Sequence, residues 1–406
     1  MLASRLNVSG KSMLIIDKRK AMAIAPILRL GFRPFFLLGA LMAALAIPLW
    51  VAALQGWSLP APTGGWLAWH RHELVFGFAG AIIAGFLLTA VQTWTGQPSL
   101  SGRPLAVLAG LWLVGRAAWW LPSTWLLLLV NLAFLLAVAG VMARLLWAVR
   151  QRRNYPIVLV LSLLAAADLL NLLGILQQHD GWQRQGSLAA IWLVAAMMTL
   201  IGGRVIPFFT QRGLGRVEAV QPWPWLDWLL LVGSVLAALL SAIGLLLLPS
   251  WFGAVLMLVL GLGHGIRLWR WFDRALLQVP LLWSLHLAYA WLVVACLGLA
   301  LWHVGGPVPF SQALHGLTVG SMAGLILAML ARVSLGHTGR PLQLPRDFAV
   351  AFLMLNLAAL LRVLGVSFAY QPALWLAAGC WCLAFAQFLY CYGPMLCRTR
   401  ADGHPG

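Results

Sequence analysis

The chain consists of long apolar segments that alternate with short loops rich in Arg, Pro, Gly and Trp. A helix that crosses the hydrocarbon core of a bilayer needs about 20 apolar residues, and each segment approaches or exceeds that length. The predicted segments are Phe35 to Leu54, Glu73 to Trp94, Pro104 to Leu121, Trp125 to Ala148, Tyr155 to Gln177, Ser187 to Phe209, Trp225 to Leu248, Trp251 to Trp269, Leu281 to Val304, Phe310 to Val333, Arg346 to Val366 and Ala373 to Gly393. The pattern predicts an all-α, polytopic membrane helical bundle of about twelve transmembrane helices, in one domain over residues 35–393.

Composition supports an integral membrane protein. Of the 406 residues, 62% are hydrophobic and only 9% are charged, and the mean hydropathy is +0.91. The formal net charge of +18 comes mainly from Arg residues at segment ends. That arrangement reflects membrane topology and argues against a nucleic-acid partner.

The distribution of basic residues also predicts orientation. Placing the amino terminus inside puts every Lys and Arg on the cytoplasmic side except Arg71, Arg116, Arg184 and Arg362. Both termini are therefore expected in the cytoplasm, as a basic segment 1–34 and a tail 394–406. The only apolar run near the start, Met13 to Ile16, is too short for a cleavable signal peptide, so none is expected.

A weak internal similarity links two parts of the chain. Arg144 and a following Arg-rich loop precede Pro156 and an apolar segment, and Arg267 precedes Pro280 and another segment in the same way. The prolines are separated by about four predicted spans, which would make the repeat parallel. Chance similarity between membrane sequences, which share a small alphabet, explains the match equally well.

The predicted topology sorts most of the histidines into two sets. The set at the outer face contains His70, His72, His303 and His315, and the set towards the cytoplasm contains His264, His286 and His337. An ionisable side chain within a membrane is costly unless it is paired, which makes each of these residues a candidate for a functional site. The alternative for any single histidine is one hydrogen bond to a neighbouring helix.

His72 and His315 are the strongest candidate ligands of the outer set. They lie near the outer edge on different spans, and neutral imidazole is a common ligand of haem iron and of copper. His70 or His303 is an alternative ligand. Arg71 and Arg116, at the same face, could pair with carboxylates such as haem propionates.

Two acidic residues are candidates for proton transfer. Asp168 is the carboxylate predicted near the middle of the bilayer, where the alternatives are a proton relay, the partner of an intramembrane cation, or a neutral, protonated acid that only forms a hydrogen bond. Glu73, beside His72, is the better candidate for moving protons to an outer-face centre or for orienting an imidazole.

The end of the sixth span suggests a different function. Gly202, Gly203 and Pro207 predict a loosened helix, and Arg204 within it needs a partner. A broken helix can bind an anion, although the end of a span at the interface is the commoner reason for such a sequence. A secondary transporter that couples protons through Asp168 and binds substrate at Arg204 is therefore an alternative.

Several stretches together resemble the NnrS family of bacterial inner-membrane proteins. They are Gly31–Phe36 (GFRPFF), His70–Glu73 (HRHE), Gly85–Ala90 (GFLLTA), Ile201–Thr210 (IGGRVIPFFT), Leu282–His286 (LWSLH), His315–Gly320 (HGLTVG) and Arg332–Arg340 (RVSLGHTGR). The resemblance runs in order over nearly the whole chain. Two positions depart from the family pattern, which commonly has Met where this chain has Leu74 and Asn where it has Thr93.

The resemblance implies a multi-pass protein of the bacterial inner membrane that contains haem and copper, is linked to denitrification and protects against nitric oxide. It suggests a haem b centre at the outer set of histidines and a second metal site at the cytoplasmic set. An oxidoreductase that turns over nitric oxide would need a quinol or another electron donor. A sensor or metal-handling protein without catalysis is a third hypothesis.

Overall fold

A computed structural model describes residues 22–218 and 220–404. Within these residues the chain forms twelve long helices, one for each predicted span, joined by short loops and 3-10 turns. Their bounds are α1 Phe32–Leu54, α2 Gly65–Thr95, α3 Arg103–Ala117, α4 Thr124–Ala148, α5 Tyr155–Leu176, α6 Asp180–Gly213, α7 Pro224–Ala242, α8 Trp251–Trp271, α9 Pro280–His303, α10 Phe310–His337, α11 Ala349–Val363 and α12 Tyr370–Cys397.

Eleven of these helices in the described residues are long and apolar enough to cross a membrane. The exception is α3, which has 15 residues and continues only as a 3-10 turn, Ala118–Trp120. The prediction of an all-α polytopic membrane bundle is confirmed. The orientation of the termini stays a prediction, and the expectation about a signal peptide falls on residues outside the described part.

Local sequence explains where many helices begin. Pro104, Pro156, Pro224 and Pro280 occupy the first turn of a helix, where a missing backbone N–H costs nothing. The Ser123 and Ser250 hydroxyls accept hydrogen bonds from backbone N–H groups at the starts of α4 and α8, which satisfies donors that have no partner within the helix.

The helices form a closed arrangement in which α12 packs against α1. Helix α6 has a central position and contacts α2, α5, α7, α9 and α10. Small residues allow the closest approach: a Cβ on Gly186 of α6 would lie 2.5 Å from the Asn171 backbone nitrogen of α5. Such contacts bring polar side chains from neighbouring helices within hydrogen-bond distance.

Helix bounds differ from the predicted spans where polar residues extend a helix. The sixth span was predicted from Ser187, but α6 begins at Asp180 and has 34 residues. The second span was predicted from Glu73, but α2 begins at Gly65, so His70 and His72 lie about two turns inside the helix. The carboxyl-terminal tail, predicted from residue 394, begins after Cys397, where α12 ends.

Candidate functional site

Two turns of π-helix stand beside the candidate histidines. In α2 the segment Glu73–Ala79 is π-helical, and His72 is the residue immediately before it. In α10 the segment Gly316–Ala323 is π-helical and follows His315 in the same way. Single π-helical turns are rare and occur frequently at functional sites. The π-helical segments thus lie next to His72 and His315, the two residues that the histidine pattern favours.

His72 is fully buried between two carboxylates. Its Nδ1 lies 2.8 Å from Glu73 Oε1 and its Nε2 lies 2.8 Å from Asp168 Oδ1. The side chains of all three residues are at most 1% exposed. An ionised carboxylate only accepts hydrogen bonds, so two ionised carboxylates require protons on both ring nitrogens. In that state His72 is an imidazolium.

Arg116 and Trp119 complete the network around Glu73. Arg116 Nε lies 2.6 Å from Glu73 Oε2, and Trp119 Nε1 donates to Glu73 Oε1 at 2.8 Å. The two cations, Arg116 and protonated His72, then balance the two anions, which is the condition for keeping charges buried. Asp168 Oδ2 is buried and has no hydrogen-bond partner in the described part of the chain, so Asp168 keeps capacity to accept a proton.

The structure therefore unites two residues that the sequence placed apart. Asp168 and Glu73 were predicted as separate proton carriers, and both contact the same imidazole. Because both nitrogens of His72 are engaged, His72 could ligate a metal only after one of these hydrogen bonds breaks.

The arginines predicted near haem propionates both have carboxylate partners within the protein. Arg116 pairs with Glu73, as described. Arg71 Nη1 donates to Asp180 Oδ1 at 2.5 Å and to Gln183 Oε1 at 2.6 Å. Gln183 in turn donates to the Ala68 carbonyl at 3.0 Å, which fixes the start of α2 against α6.

His70 and His315 are the two partly exposed imidazoles at this end of the bundle. Arg362 Nη2 donates to the Ser311 hydroxyl oxygen at 3.2 Å, one helical turn before His315. Both histidines are half-buried. The ring of His70 stacks on Trp50 with 4.6 Å between ring centroids and 12° between ring planes, and its Nδ1 is buried with no hydrogen-bond partner among the described residues.

The tautomer of His315 follows from its backbone contact. Its Nδ1 lies 2.6 Å from the Ser311 carbonyl oxygen, which can only accept, so Nδ1 carries the proton. Nε2 of a neutral ring then has a free lone pair. An imidazole held by a backbone carbonyl through one nitrogen is the arrangement typical of metal-binding histidines.

Two imidazoles are a donor set that suits a haem iron. Residues 22–218 and 220–404 contain no group of three or more His, Cys, Asp or Glu side chains that could hold a metal ion. A haem iron is already held by its porphyrin and takes only one or two axial ligands from the protein. His70 and His315 supply two imidazoles at one end of the bundle.

The cytoplasmic set of predicted histidines does not form one site. His286 Nδ1 donates to the Leu282 carbonyl at 3.0 Å, and its buried Nε2 has no partner among the described residues. The ring of His337 packs on Phe32 at 5.6 Å. His264 belongs to a different hydrogen-bonded cluster.

That cluster is centred on Arg267, a buried residue that the sequence did not single out as functional. Arg267 Nε donates to Asp227 at 3.1 Å, and Nη1 donates to the Tyr289 hydroxyl oxygen at 3.2 Å. His264 Nδ1 lies 2.7 Å from the same hydroxyl. A Cβ on Gly203 would lie 2.6 Å from Arg267 Nη2, so the Gly202–Gly203 pair was the available signal for this cluster.

The remaining predicted residues have structural partners. His303 Nδ1 accepts from the Ser250 backbone N–H at 3.3 Å, so His303 packs at the start of α8. Arg204 donates to the Asn154 side chain at 2.7 Å and to the Arg153 carbonyl at 3.1 Å. The partner that Arg204 needed is thus supplied by the loop before α5.

Comparison with known proteins agrees with this description of the chain. The family model described as NnrS protein matches residues 26–400. No curated protein matches the sequence.

Proposed function

Because the chain belongs to the NnrS family, we propose that it binds haem b through His70 and His315 and that nitric oxide would take the place of one of these imidazoles on the iron. The observation that carries the proposal is the pair of half-buried imidazoles beside the two π-helical turns. The pair replaces His72 and His315, the pair favoured by sequence alone, because both nitrogens of His72 are engaged.

The protein side chains prepare these imidazoles for ligation. The Ser311 carbonyl fixes the proton of His315 on Nδ1, which leaves Nε2 for an iron atom. Stacking on Trp50 sets the plane of the His70 ring. Arg362, which hydrogen-bonds to Ser311 one turn before His315, would supply positive charge for a propionate carboxylate. The haem, when bound, would supply an iron atom to which nitric oxide can bind.

The buried network next to His70 in the chain would handle protons. His72 lies between Glu73 and Asp168 with hydrogen bonds of 2.8 Å on each side, a geometry in which one proton can be held or passed between three groups. Reductive turnover of nitric oxide would consume protons and electrons. The Glu73–His72–Asp168 network is the proposed source of the protons, and a membrane quinol or another donor is the proposed source of the electrons.

Copper enters the proposal through the family resemblance. Among the cytoplasmic set, His286 has the geometry of a ligand, since its Nδ1 is held by a backbone carbonyl and its Nε2 is unpartnered within the described chain. His264 and His337 have other contacts, and no three-ligand group exists in the described residues. His286 is therefore the residue to test first for copper.

The cellular role proposed is protection of a bacterium against nitric oxide, in connection with denitrification, from the inner membrane. The two alternatives are a proton-coupled transporter and a sensor or metal-handling protein without catalysis. They differ from the proposal in measurable ways, since a transporter needs no haem and a sensor does not consume nitric oxide.

The decisive experiment measures haem and copper in protein purified from a haem-replete membrane. Pyridine haemochrome analysis is expected to give stoichiometric haem b, elemental analysis is expected to give copper, and nitric oxide is expected to shift the Soret band of the reduced protein. Haem-free protein would overturn the proposal in favour of transport. A Soret shift without consumption of nitric oxide would favour a sensor.

A further inference from the structure

An apolar cavity of about 100 Å³ lies between helices of the bundle, and it is partly open, because the lining residues Ile83, Phe86, Met198, Val205 and Met329 are partly exposed. Its wall comes mainly from α2, α6 and α10, with one side chain each from α1 and α9. Representative lining residues are Ile83, Phe86, Met198, Ile206, Met322 and Ile326. Apart from Gly202, every lining residue has an apolar side chain.

The position of the cavity links it to the candidate haem site. Met322 lies in the π-helical segment that follows His315, and seven helical residues span about 10 Å. The helices that supply most of the wall, α2 and α10, are also those that carry His70 and His315. The lining therefore begins about two turns after His315 on α10 and about three turns after His70 on α2, where Ile82 is the first lining residue.

Gly202 leaves one position on the α6 side of the cavity without a side chain. A Cβ at this position would lie 3.6 Å from Ile206 and 3.9 Å from the Tyr289 ring, distances of ordinary contact. Glycine is therefore not required here by crowding, in contrast to Gly203 next to Arg267. The missing side chain instead leaves volume open in the cavity.

The lining restricts what can occupy the cavity. Water and ions need several polar partners, and the carbonyl oxygens of a quinone head group need hydrogen-bond donors. No lining side chain supplies a donor. Apolar protein cavities of roughly this size, about 150 Å³ in one engineered case, stay dry and bind benzene or xenon. The four lining methionines, Met197, Met198, Met322 and Met329, provide a polarisable wall that adapts to its contents.

We propose that this cavity is a binding site for a small, uncharged apolar gas molecule. Resting on the proposed function, the gas is nitric oxide, which dissolves in the hydrocarbon phase and would reach the histidine pair from the cavity. The site is separate from the haem ligands, so its occupancy can be tested without haem.

Xenon is the probe, applied under pressure to crystals of the full-length protein and located by its anomalous scattering. A peak is expected between α2, α6 and α10. The peak should be absent in Ile326→Trp, which fills the cavity, and present in Leu353→Trp, a matched change at a side chain that is 53% exposed on α11. A wild-type protein without a xenon peak, or with a lipid or detergent chain in the cavity, overturns the proposal.

A second variant keeps the test valid if Ile326→Trp fails to fold. Met322→Ala enlarges the cavity, so xenon occupancy is expected to rise. Unchanged or lower occupancy would contradict the assignment.

Nitric oxide binding to the haem-loaded protein tests the link to the proposed function. In Ile326→Trp the association rate constant is expected to fall by about tenfold, while Leu353→Trp keeps the wild-type rate. Equal rates in the two variants would overturn the assignment of nitric oxide to the cavity. Wild-type protein that binds no nitric oxide would overturn the proposed function and leave the xenon result intact.

Discussion

Asp168 and His72 are 96 positions apart in the chain and are joined by a hydrogen bond of 2.8 Å in a fully buried site. The bond connects α5 to α2, and on the other side of the imidazole Glu73 is linked to Arg116 of α3. One ion network thus ties three helices together beside the proposed haem site. Its charges balance only while all four members are present.

Replacement of Asp168 by Asn tests this balance. The substitution removes one anion and leaves an excess positive charge in a site without solvent access. We expect a loss of about 3 kcal/mol in the free energy of unfolding, measured by denaturant titration in detergent, with the haem absorption retained.

Asp180→Asn is the matched control. Asp180 also pairs with an arginine, Arg71, but its side chain is 73% exposed. Exposed ion pairs contribute less than about 1 kcal/mol, so only a small loss is expected. Similar small losses in both variants would show that Asp168 is already protonated and neutral in the native protein.

The choice of haem ligands gives a second prediction. His70→Ala and His315→Ala are each expected to lower haem affinity by about tenfold or more, measured by titration of the Soret band. His72→Gln should keep the band, because His72 serves the ion network, and should destabilise the fold. His179→Ala, in an exposed loop position, is the control. Loss of the band in His72→Gln together with an intact band in His70→Ala would instead assign His72 as the ligand.

The sequence pattern predicted the helices correctly but did not predict which helices pack against each other. Twelve apolar segments predicted twelve helices because hydropathy over about 20 residues is a strong signal for a bilayer span. The same signal carries no information about which face of a helix meets which neighbour. The contact of Asp168 with His72 depends on that packing, so it could not be predicted, although both residues were identified as candidates.

The π-helical turns and the cluster around Arg267 could not be predicted from the sequence either. The π-helical turns after His72 and His315 begin in stretches that share a His-x-Leu-x-x-Gly spacing, HELVFG and HGLTVG, but this spacing does not by itself predict a π-helix. Arg267 appeared only as part of a possible repeat, and its partners come from three other helices.

The close packing of α5 against α6 gives a third prediction. A Cβ at Gly186 would lie 2.5 Å from a backbone nitrogen and 2.6 Å from the Ala167 carbonyl oxygen, and backbone atoms cannot move aside. Gly186→Ala is therefore expected to destabilise the protein by about 1–3 kcal/mol, measured by thermal or denaturant unfolding.

Gly140 of α4 is the control for that substitution, because a Cβ added there would meet no neighbouring atom of the described chain within 4 Å. Gly140→Ala is expected to be neutral or to stabilise by about 0.5 kcal/mol, because alanine favours the helix. Equal effects at the two glycines would show that α5 and α6 are farther apart than described.

The carboxyl-terminal segment supplies a prediction about pH. Asp402 lies against Gly339, and the Ala401 N–H donates to the Thr338 carbonyl at 3.0 Å. Hydrogen bonds from Arg400 lower the pKa of Asp402 below its ordinary value of 3.8. Because the pKa of Asp402 is lower in the folded state, its contact with Arg400 stabilises the docked segment at every pH above the ordinary pKa. This stabilisation is lost as the pH falls through the folded-state pKa.

We therefore expect the segment to be docked at neutral pH and to become mobile in acid, with a midpoint below 3.8. A spin label at His404→Cys, in protein whose native cysteines are replaced by alanine, would report mobility by electron paramagnetic resonance. In Asp402→Asn the segment should be mobile at both neutral and acid pH, because the charged partner of Arg400 is gone. If that variant is as immobile as the parent at neutral pH, the backbone bond from Ala401 to Thr338 is sufficient to hold the segment, and the ion pair with Arg400 is not what docks it.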